Sequence, residues 1–235
     1  MAIRTYLAMT AAEFKTSTHL PESVAWMACH FSPYGTGLSN IPRTLPENSL
    51  LIVNDITPIQ NHNPEIIAME LIDCIEALHC SGVLLDFQRL PNPKLYTLSE
   101  HLMRALPRPP ILPEPFAGQF NCPVFLPPCP LCKPLQEHIQ NWKDREIWLE
   151  IAKNETSIVI SKEGTFYTSE TKSNHNAHVF PDSILDCHYT IQTNPHEANF
   201  HLWRTEDDTK EFLYKAEKLG IHNVVGLYQE YQNNV

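Results

Sequence analysis

Short runs of apolar residues recur along the chain and predict a series of β-strands. Several runs are apolar on both faces, such as Leu50–Val53 and Val83–Leu85. Strands covered on both sides are typical of parallel sheets, in which helices pack on the faces. The eight predicted strands are Tyr6–Ala11, Val24–Phe31, Leu50–Asp55, Gly82–Gln88, Cys122–Leu126, Glu146–Ile151, Asn199–Trp203 and Val224–Gln229.

Four helices are predicted between these strands from apolar residues at helical spacing and from residues typical of helix ends. A polar cap followed by proline marks a helix start, and a threonine followed three residues later by an acid resembles a capping box. The first helix starts at Asn63, the second covers Leu95–Leu106, the third begins at Pro134 and the fourth starts at Thr205.

Strands and helices alternate, which predicts right-handed crossovers and a parallel sheet. Eight strands in 235 residues fit a lean (β/α)8 TIM-type barrel, and a doubly wound open α/β sheet is the alternative. Residues 152–198 predict a small antiparallel β insertion before the seventh strand, turning at Lys162–Gly164. We expect one domain over residues 1–235, with Pro107–Pro115 as a loop or linker.

The amino-acid composition argues against several classes of binding partner. The net charge of −10 argues against a nucleic acid or an anionic membrane surface. Only seven glycines occur and they do not cluster, which excludes a glycine-rich phosphate loop, so we expect no cofactor. No apolar run reaches the roughly 18 residues of a membrane helix, and Met1–Met9 lacks the features of a signal peptide. We therefore expect a cytoplasmic protein with a small-molecule partner.

The fourth predicted strand ends in polar residues, as barrel strands do where they carry chemistry. It reads Ser-Gly-Val-Leu-Leu-Asp-Phe-Gln over Ser81–Gln88. This run resembles the Asp-Gly-x-Asp-x-Asp-x-Glu strand of family 18 glycoside hydrolases, the chitinase-like barrels, with Gly82, Asp86 and Phe87 in register. The resemblance implies that position 88 is the place of the acid that protonates the glycosidic oxygen, and that Asp86 orients the substrate acetamide.

Three acids of that pattern are replaced in this chain. Ser81 and Leu84 stand at the first two positions, and Gln88 stands at the place of the proton donor. An amide has no proton to deliver near neutral pH, and general acid catalysis contributes typically 10²–10⁴-fold. We therefore expect a carbohydrate-related barrel that binds amino-sugar oligosaccharides with weak or no hydrolysis. The alternative is a buried strand with polar residues at its end and no site.

Other polar residues near predicted strand ends are further candidates. Two carboxylates about 5–10 Å apart suit ordinary glycoside hydrolysis, and Asp86 has several possible partners. The candidate catalytic residues are Asp86, Gln88, Glu150 and Glu230, and the candidate substrate-binding residues are Asp55, His30, Tyr34 and Tyr228.

The segment Cys129-Pro-Leu-Cys132 offers a separate chemistry. A C-x-x-C motif between a strand and a helix start resembles a glutaredoxin active site, in which the helix lowers the pKa of the first thiol. Zinc held with Cys122 and His138 is another interpretation, but a single C-x-x-C is a weak signal, and we expect no metal. Thiol–disulfide exchange and a non-catalytic interaction protein remain the alternatives to carbohydrate binding.

Overall fold

The computed structural model describes residues 3–89, 92–168 and 178–231. They form two compact units. The barrel unit contains residues 3–127, 142–151 and the chain from 221 onward, and the antiparallel unit contains residues 128–141 and 152–220. Within the described ranges, every helix is too short or too polar to cross a membrane.

The barrel unit contains nine strands, of which eight run parallel. The strands are β1 (Arg4–Met9), β2 (Val24–Phe31), β3 (Leu38–Ser39), β4 (Leu50–Asn54), β5 (Gly82–Asp86), β6 (Leu112–Pro113), β7 (Val124–Leu126), β8 (Ile147–Ile151) and, after the five strands of the other unit, β14 (Asn223–Leu227). Neighbours follow the order β5-β4-β2-β1-β14-β8-β7-β6, and β3 pairs antiparallel with β2. A parallel bridge from Leu84 to Ile111 links β5 to the start of β6. The strands thus form a nearly closed barrel, and the predicted (β/α)8 TIM-type fold is confirmed.

The barrel interior is filled by side chains that alternate along the strands. Tyr6 and Trp148 pack with their ring centroids 5.2 Å apart. Burying a large apolar side chain stabilises a fold by about 1.5–3 kcal/mol, so this layer is a main source of barrel stability. The buried interior residues are Tyr6, Ala8, Ala25, Leu50, Ile52, Leu84, Ile111, Phe125, Trp148 and Val225.

Seven helices lie within the described residues of the two units. The Asn63 side chain accepts a hydrogen bond from the backbone N–H of Glu65, and Thr205 forms a capping box with Asp208, so both predicted helix starts are confirmed. The helices are α1 (Ala11–Thr16), α2 (Pro64–Ala77), α3 (Pro93–Ala105), α4 (Glu114–Ala117), α5 (Leu135–Ile139), α6 (Glu206–Lys218) and α7 (Tyr228–Tyr231).

The antiparallel unit is built around a five-stranded sheet. Its strands are β9 (Glu155–Ser161), β10 (Gly164–Thr168), β11 (Val179–Asp182), β12 (Cys187–Thr193) and β13 (Glu197–Trp203), in the order β10-β9-β13-β12-β11. A small core of Leu131, Cys187 and Leu202 supports the sheet. The antiparallel sheet is therefore present as predicted, and its last strand extends past residue 198.

Two strand predictions are wrong in a related way. Asn199–Trp203, predicted as the seventh barrel strand, belongs to β13, which pairs antiparallel with β9 and β12. The barrel strand missing from the prediction is β6, which lies inside the proline-rich stretch Pro107–Pro115. Its two residues are too few to show any hydrophobic period, and proline is unfavourable within a sheet.

Four predicted strands also run past their true ends. Those predicted to end at Asp55 and Gln88 stop at Asn54 and Asp86, and the other two run into a helix. Ala11 begins α1 rather than ending β1, because Thr10 and Glu13 form a capping box. Tyr228 begins α7, so the eighth barrel strand ends at Leu227. Polar residues predicted at the end of that strand therefore lie on a short helix.

Candidate functional site

The carboxyl end of β5 carries two polar side chains on the side that faces the barrel interior. Asp86 follows the inward-facing Leu84 at the next alternate position of the strand, and Gln88, two residues past the end of β5, lines the same cavity. The Gln88 Nε2 atom donates a hydrogen bond of 3.1 Å to Asp86 Oδ2. Phe87 points the other way and packs edge-to-face on Phe116. Alternation thus directs the carboxylate toward the barrel mouth, and the amide meets it there through the hydrogen bond.

These side chains line a central cavity of about 190 Å³ in the barrel. Glu150 on β8 reaches the same cavity, because it lies two residues beyond the inward-facing Trp148. The central cavity thus brings together three of the predicted catalytic positions above an apolar floor. Its lining residues are Ala8, Met27, Ile52, Asn54, Leu84, Asp86, Gln88, Phe125, Glu150, Val225, Gly226 and Leu227.

Burial perturbs both carboxyl groups of the central cavity. It raises the pKa of Glu150 to about 7, and the nearby carboxylates of Asp86 and Glu230 add to the rise. Burial also raises the pKa of Asp86, while the hydrogen bond from Gln88 opposes the rise. A carboxyl group with a pKa near 7 holds a proton for part of the time at neutral pH, and such a group is able to act as an acid or a base.

Asp55 has a different place from the one predicted for it. Its side chain is only 3% exposed, and it does not line the central cavity. Its two carboxylate oxygens accept hydrogen bonds from the backbone N–H groups of Gln88 at 2.9 Å and Arg89 at 3.0 Å. Asp55 therefore holds the chain that follows β5 and positions Gln88.

Asn54 lines the central cavity but is missing from the sequence prediction. Its Nδ2 donates to the Met27 carbonyl at 3.2 Å, and its Oδ1 accepts from the Ile56 N–H at 3.2 Å. The signal was present in the sequence, because Asn54 precedes Asp55 at the end of an apolar strand. Alternation from the buried Ile52 places Asn54, and not Asp55, on the inner face.

The remaining predicted substrate-binding residues lie outside the central cavity. His30 Nδ1 lies 2.8 Å from the Phe31 carbonyl, and its Nε2 lies 3.1 Å from the amide nitrogen of Asn40. Tyr34 is almost fully exposed in the loop after β2. The hydroxyl of Tyr228 is 3.1 Å from that of Ser17, beside an open cleft of about 590 Å³.

Glu230, predicted as a catalytic residue, lies on α7 and does not line the central cavity. Its half-buried carboxylate acts on the site at a distance by raising the pKa of Glu150. The structure therefore separates the four predicted catalytic positions into three that line the cavity and one that influences it electrostatically.

The cysteine segment does not have the properties of a thiol redox site. Burial raises the pKa of Cys129 to about 11, and its Sγ donates to the Lys133 carbonyl at 3.2 Å. Disulfide exchange uses a thiolate, whose pKa is lowered, so Cys129 is shifted in the opposite direction. All seven cysteines are free, and the described residues contain no group of three potential metal ligands.

Comparisons with known proteins support the fold through structure alone. No protein-family model and no curated protein matches the sequence. A chitinase from Chromobacterium violaceum superposes with a TM-score of 0.56 at 8% identity, over 96% of this chain and 93% of that one. A family 18 chitinase from Cycas revoluta superposes with a TM-score of 0.56 at 8% sequence identity, over 94% of each chain. A chitinase-like agglutinin from Robinia pseudoacacia superposes with a TM-score of 0.55 at 10% sequence identity, over 94% of this chain and 93% of that one. The chain therefore has the fold of the chitinase-like barrels of glycoside hydrolase family 18, with only distant similarity in sequence.

Proposed function

We propose that this protein binds amino-sugar oligosaccharides at the barrel mouth and hydrolyses them weakly or not at all. The observation that carries the proposal is Gln88, an amide at the position where the family pattern has its proton donor. Gln88 is hydrogen-bonded to Asp86 and faces the central cavity. Without a titratable group, position 88 binds a sugar oxygen but delivers no proton to it.

Two similar proteins support binding without catalysis as a use of this fold. The Robinia protein is an agglutinin, a class defined by binding. The Cycas chitinase was crystallised with (GlcNAc)4 as a double mutant in which one glutamate is replaced by glutamine. An amide in place of a carboxyl group is thus compatible with an occupied sugar site in that protein.

The dimensions of the central cavity indicate which part of a sugar enters it. Small-molecule sites commonly enclose about 300–1,000 Å³, and the central cavity has about 190 Å³. It therefore accommodates one substituent of a sugar, such as an acetamide, while the ring stays at the mouth. The amide of Gln88 and the carboxyl groups of Asp86 and Glu150 offer both donors and acceptors to such a group.

Calorimetry with N-acetylglucosamine oligomers tests this proposal. We expect the protein to bind the tetramer and the Asp86→Ala variant to bind it at least about tenfold more weakly, because a buried charge-assisted hydrogen bond contributes about 1.5–3 kcal/mol. Asp73→Ala, at an exposed position on α2, is the matched control and is expected to bind normally. Equal heats for the wild type and Asp86→Ala, or no heat for the wild type, would contradict the proposal.

Active hydrolysis through Glu150 is the second candidate function. It is favoured by the pKa of about 7 at a cavity-lining carboxyl group next to Asp86, since general acids work best near the operating pH. Release of an aryl group from an aryl amino-sugar distinguishes the two candidates. Turnover that Glu150→Gln abolishes supports the enzyme, and the absence of turnover alongside oligomer binding supports the binding protein.

A further inference from the structure

The sheet of the antiparallel unit has two edge strands, β10 and β11, which lie at the two ends of its strand order. Within the described ranges, β10 pairs on one side only, with β9. We propose that the free edge of β10 pairs with β10 of a second copy of this chain, so that the protein forms a weak homodimer. This inference goes beyond the proposed function and does not depend on it.

Strand β11 is protected against pairing with another strand. Pro181 lies within it and has no N–H group to donate, and Asp182 places a charge at its end. Prolines and charges on edge strands are common means by which proteins prevent pairing between sheets. Phe180 of this strand also stacks on Tyr189 of β12, with ring centroids 5.5 Å apart. We therefore expect no association through β11.

Strand β10 has neither protection. Its sequence, Gly-Thr-Phe-Tyr-Thr, contains no proline and no charged residue. Residues 164–167 are all exposed, and the exposed fractions of Phe166 and Tyr167 are 52% and 66%. An edge strand that is open, uncharged and aromatic offers its unpaired N–H and C=O groups to another strand. The contrast between the two edges of one sheet points to β10 as an interaction surface.

The sequence of β10 suits a second copy of itself as the partner. Phe166 is the middle residue of the strand, so an antiparallel pair centred on it gives all five residues of each copy a partner. A two-fold axis at this position makes the contact the same for both copies and closes the dimer. Because the strand is uncharged, this pairing brings no like charges together, whereas like charges directly opposite each other destabilise a sheet.

Apolar side chains continue across the proposed contact. Val159 of β9 is directly opposite Phe166 and therefore lies on the same face of the sheet. The two-fold axis places the two copies of Phe166 opposite each other, with a Val159 on the outer side of each ring. Aromatic–aromatic and aromatic–β-branched pairs are among those that stabilise sheets. Pairing thus removes a half-exposed aromatic ring of each copy from water.

The extent of this contact determines its strength. Stable interfaces commonly use about 20–30 residues on each side, and β10 supplies five. Strand addition obtains affinity from main-chain hydrogen bonds, so a short strand gives a weak but specific contact. We expect a dissociation constant on the order of 10 µM, with monomers at low and dimers at high protein concentration.

The test is sedimentation equilibrium of the full chain between about 2 and 200 µM, around the expected dissociation constant. Phe166→Lys places two like charges opposite each other at the axis, and we expect it to weaken the dimer at least about tenfold. Val179→Lys is the matched control, because it places the same charge on an exposed apolar residue of β11. We expect it to leave the dissociation constant unchanged.

Hydrogen exchange of the wild type gives a second measurement that requires no variant to fold. We expect the amides of β10 to exchange more slowly at high than at low protein concentration, and those of β11 to exchange equally at both. A wild type that stays monomeric at the highest concentration overturns the inference. A dimer that Phe166→Lys leaves intact, or that slows exchange outside β10 only, also overturns it because the contact then lies elsewhere.

Discussion

The side chain at position 88 determines whether the central cavity holds a proton donor beside Asp86. Replacing Gln88 by glutamate changes almost no volume and restores a carboxyl group next to a carboxylate, which raises the pKa of the new acid. We expect Gln88→Glu to hydrolyse an aryl amino-sugar slowly, about 10²-fold faster than the wild type, from the usual contribution of a general acid. Release of the aryl group gives the rate.

Asp86 provides the control for this gain of activity. The double variant Gln88→Glu with Asp86→Asn keeps the new acid but loses its charged neighbour, so we expect most of the gained rate to disappear. A gain that survives in the double variant would show that Asp86 does not assist the acid. No gain in Gln88→Glu would contradict the expectation that an acid at position 88 is enough to start hydrolysis.

The raised pKa of Glu150 makes the free energy of unfolding depend on pH, and the direction of the shift determines the sign of that dependence. The folded protein holds a proton on Glu150 up to about pH 7, whereas an unfolded chain releases it near the ordinary value of 4.5. Stability contributed by this group is therefore present below about pH 4.5 and is lost as the pH rises toward 7. A shift of this size corresponds to at most about 3 kcal/mol, and partial exposure of the group reduces it to about 1–2 kcal/mol.

Urea unfolding of Glu150→Gln checks this assignment. The variant carries no charge at any pH, so we expect it to be about 1–2 kcal/mol more stable than the wild type near pH 8 and equal to it near pH 4. Glu76→Gln, on the exposed side of α2, is expected to leave stability unchanged at both values. If Glu150→Gln were stabilised by the same amount near pH 4 and near pH 8, a raised pKa would be ruled out as the cause.

At the scale of elements, the end of β4 holds the end of β5 through Asp55. The Asp55 carboxylate accepts hydrogen bonds from the backbone N–H groups of Gln88 and Arg89. The Asp55 backbone carbonyl accepts a third hydrogen bond, of 2.8 Å, from Arg89 Nε. We expect Asp55→Ala to lower the free energy of unfolding by about 2 kcal/mol, since two hydrogen bonds to a charged acceptor are lost. Urea unfolding measures the loss.

The same variant separates positioning from ligand contact. Because Asp55 does not line the central cavity, Asp55→Ala is expected to weaken oligomer binding only by releasing Gln88. Asp55→Asn keeps one acceptor oxygen, so intermediate stability and nearly normal binding are expected. Full stability combined with lost binding in Asp55→Asn would instead assign Asp55 a direct contact with the ligand.

Elements with a strong hydrophobic pattern were predictable, and those without one were not. Val24–Phe31 is a strand over the predicted range, because its apolar side chains are covered on both faces. Asn199–Trp203 alternates polar and apolar residues, a pattern typical of antiparallel strands, which is why the prediction of a barrel strand there is wrong. The pair Leu112–Pro113 is too short for any pattern, and only the barrel around it makes it a strand.

The candidate site was predictable only as far as the local strand pattern reaches. Alternation along β5 places Asp86 on the inner face, but it does not reach Gln88 beyond the strand end and gives no distance to a side chain on another strand. Glu150 lies near Asp86 because of which strands are neighbours in the barrel. His62 is buried because of how the loops pack. Such long-range information enters only with the fold.

At the scale of the whole barrel, strand pairing is uneven around the circumference. Strand β14 pairs with β1 over five residue pairs and with β8 over four. The seam between β5 and β6 consists of one bridge, with hydrogen bonds from Leu85 N to Ile111 O at 3.0 Å and from Ile111 N to Val83 O at 2.9 Å. Pro113 has no N–H group and so cannot extend this ladder as a donor. The β5–β6 seam is therefore the least connected part of the barrel wall.

This asymmetry predicts where the barrel opens first. Native-state hydrogen exchange reports the free energy of local opening, which ranges from nearly zero in frayed segments to the global value in the best-protected strands. We expect the amides of Leu85 and Ile111 to open at least about 1–2 kcal/mol more easily than those of Tyr6 and Val225, which lie in the paired strands β1 and β14. Because β5 carries Asp86 and Gln88, opening of this seam also disturbs the candidate site, so a bound oligomer should slow exchange at Leu85 more than at Tyr6. Equal protection across the two regions would mean that the barrel opens only as a whole, and ligand-induced protection confined to β1 would place the ligand away from β5.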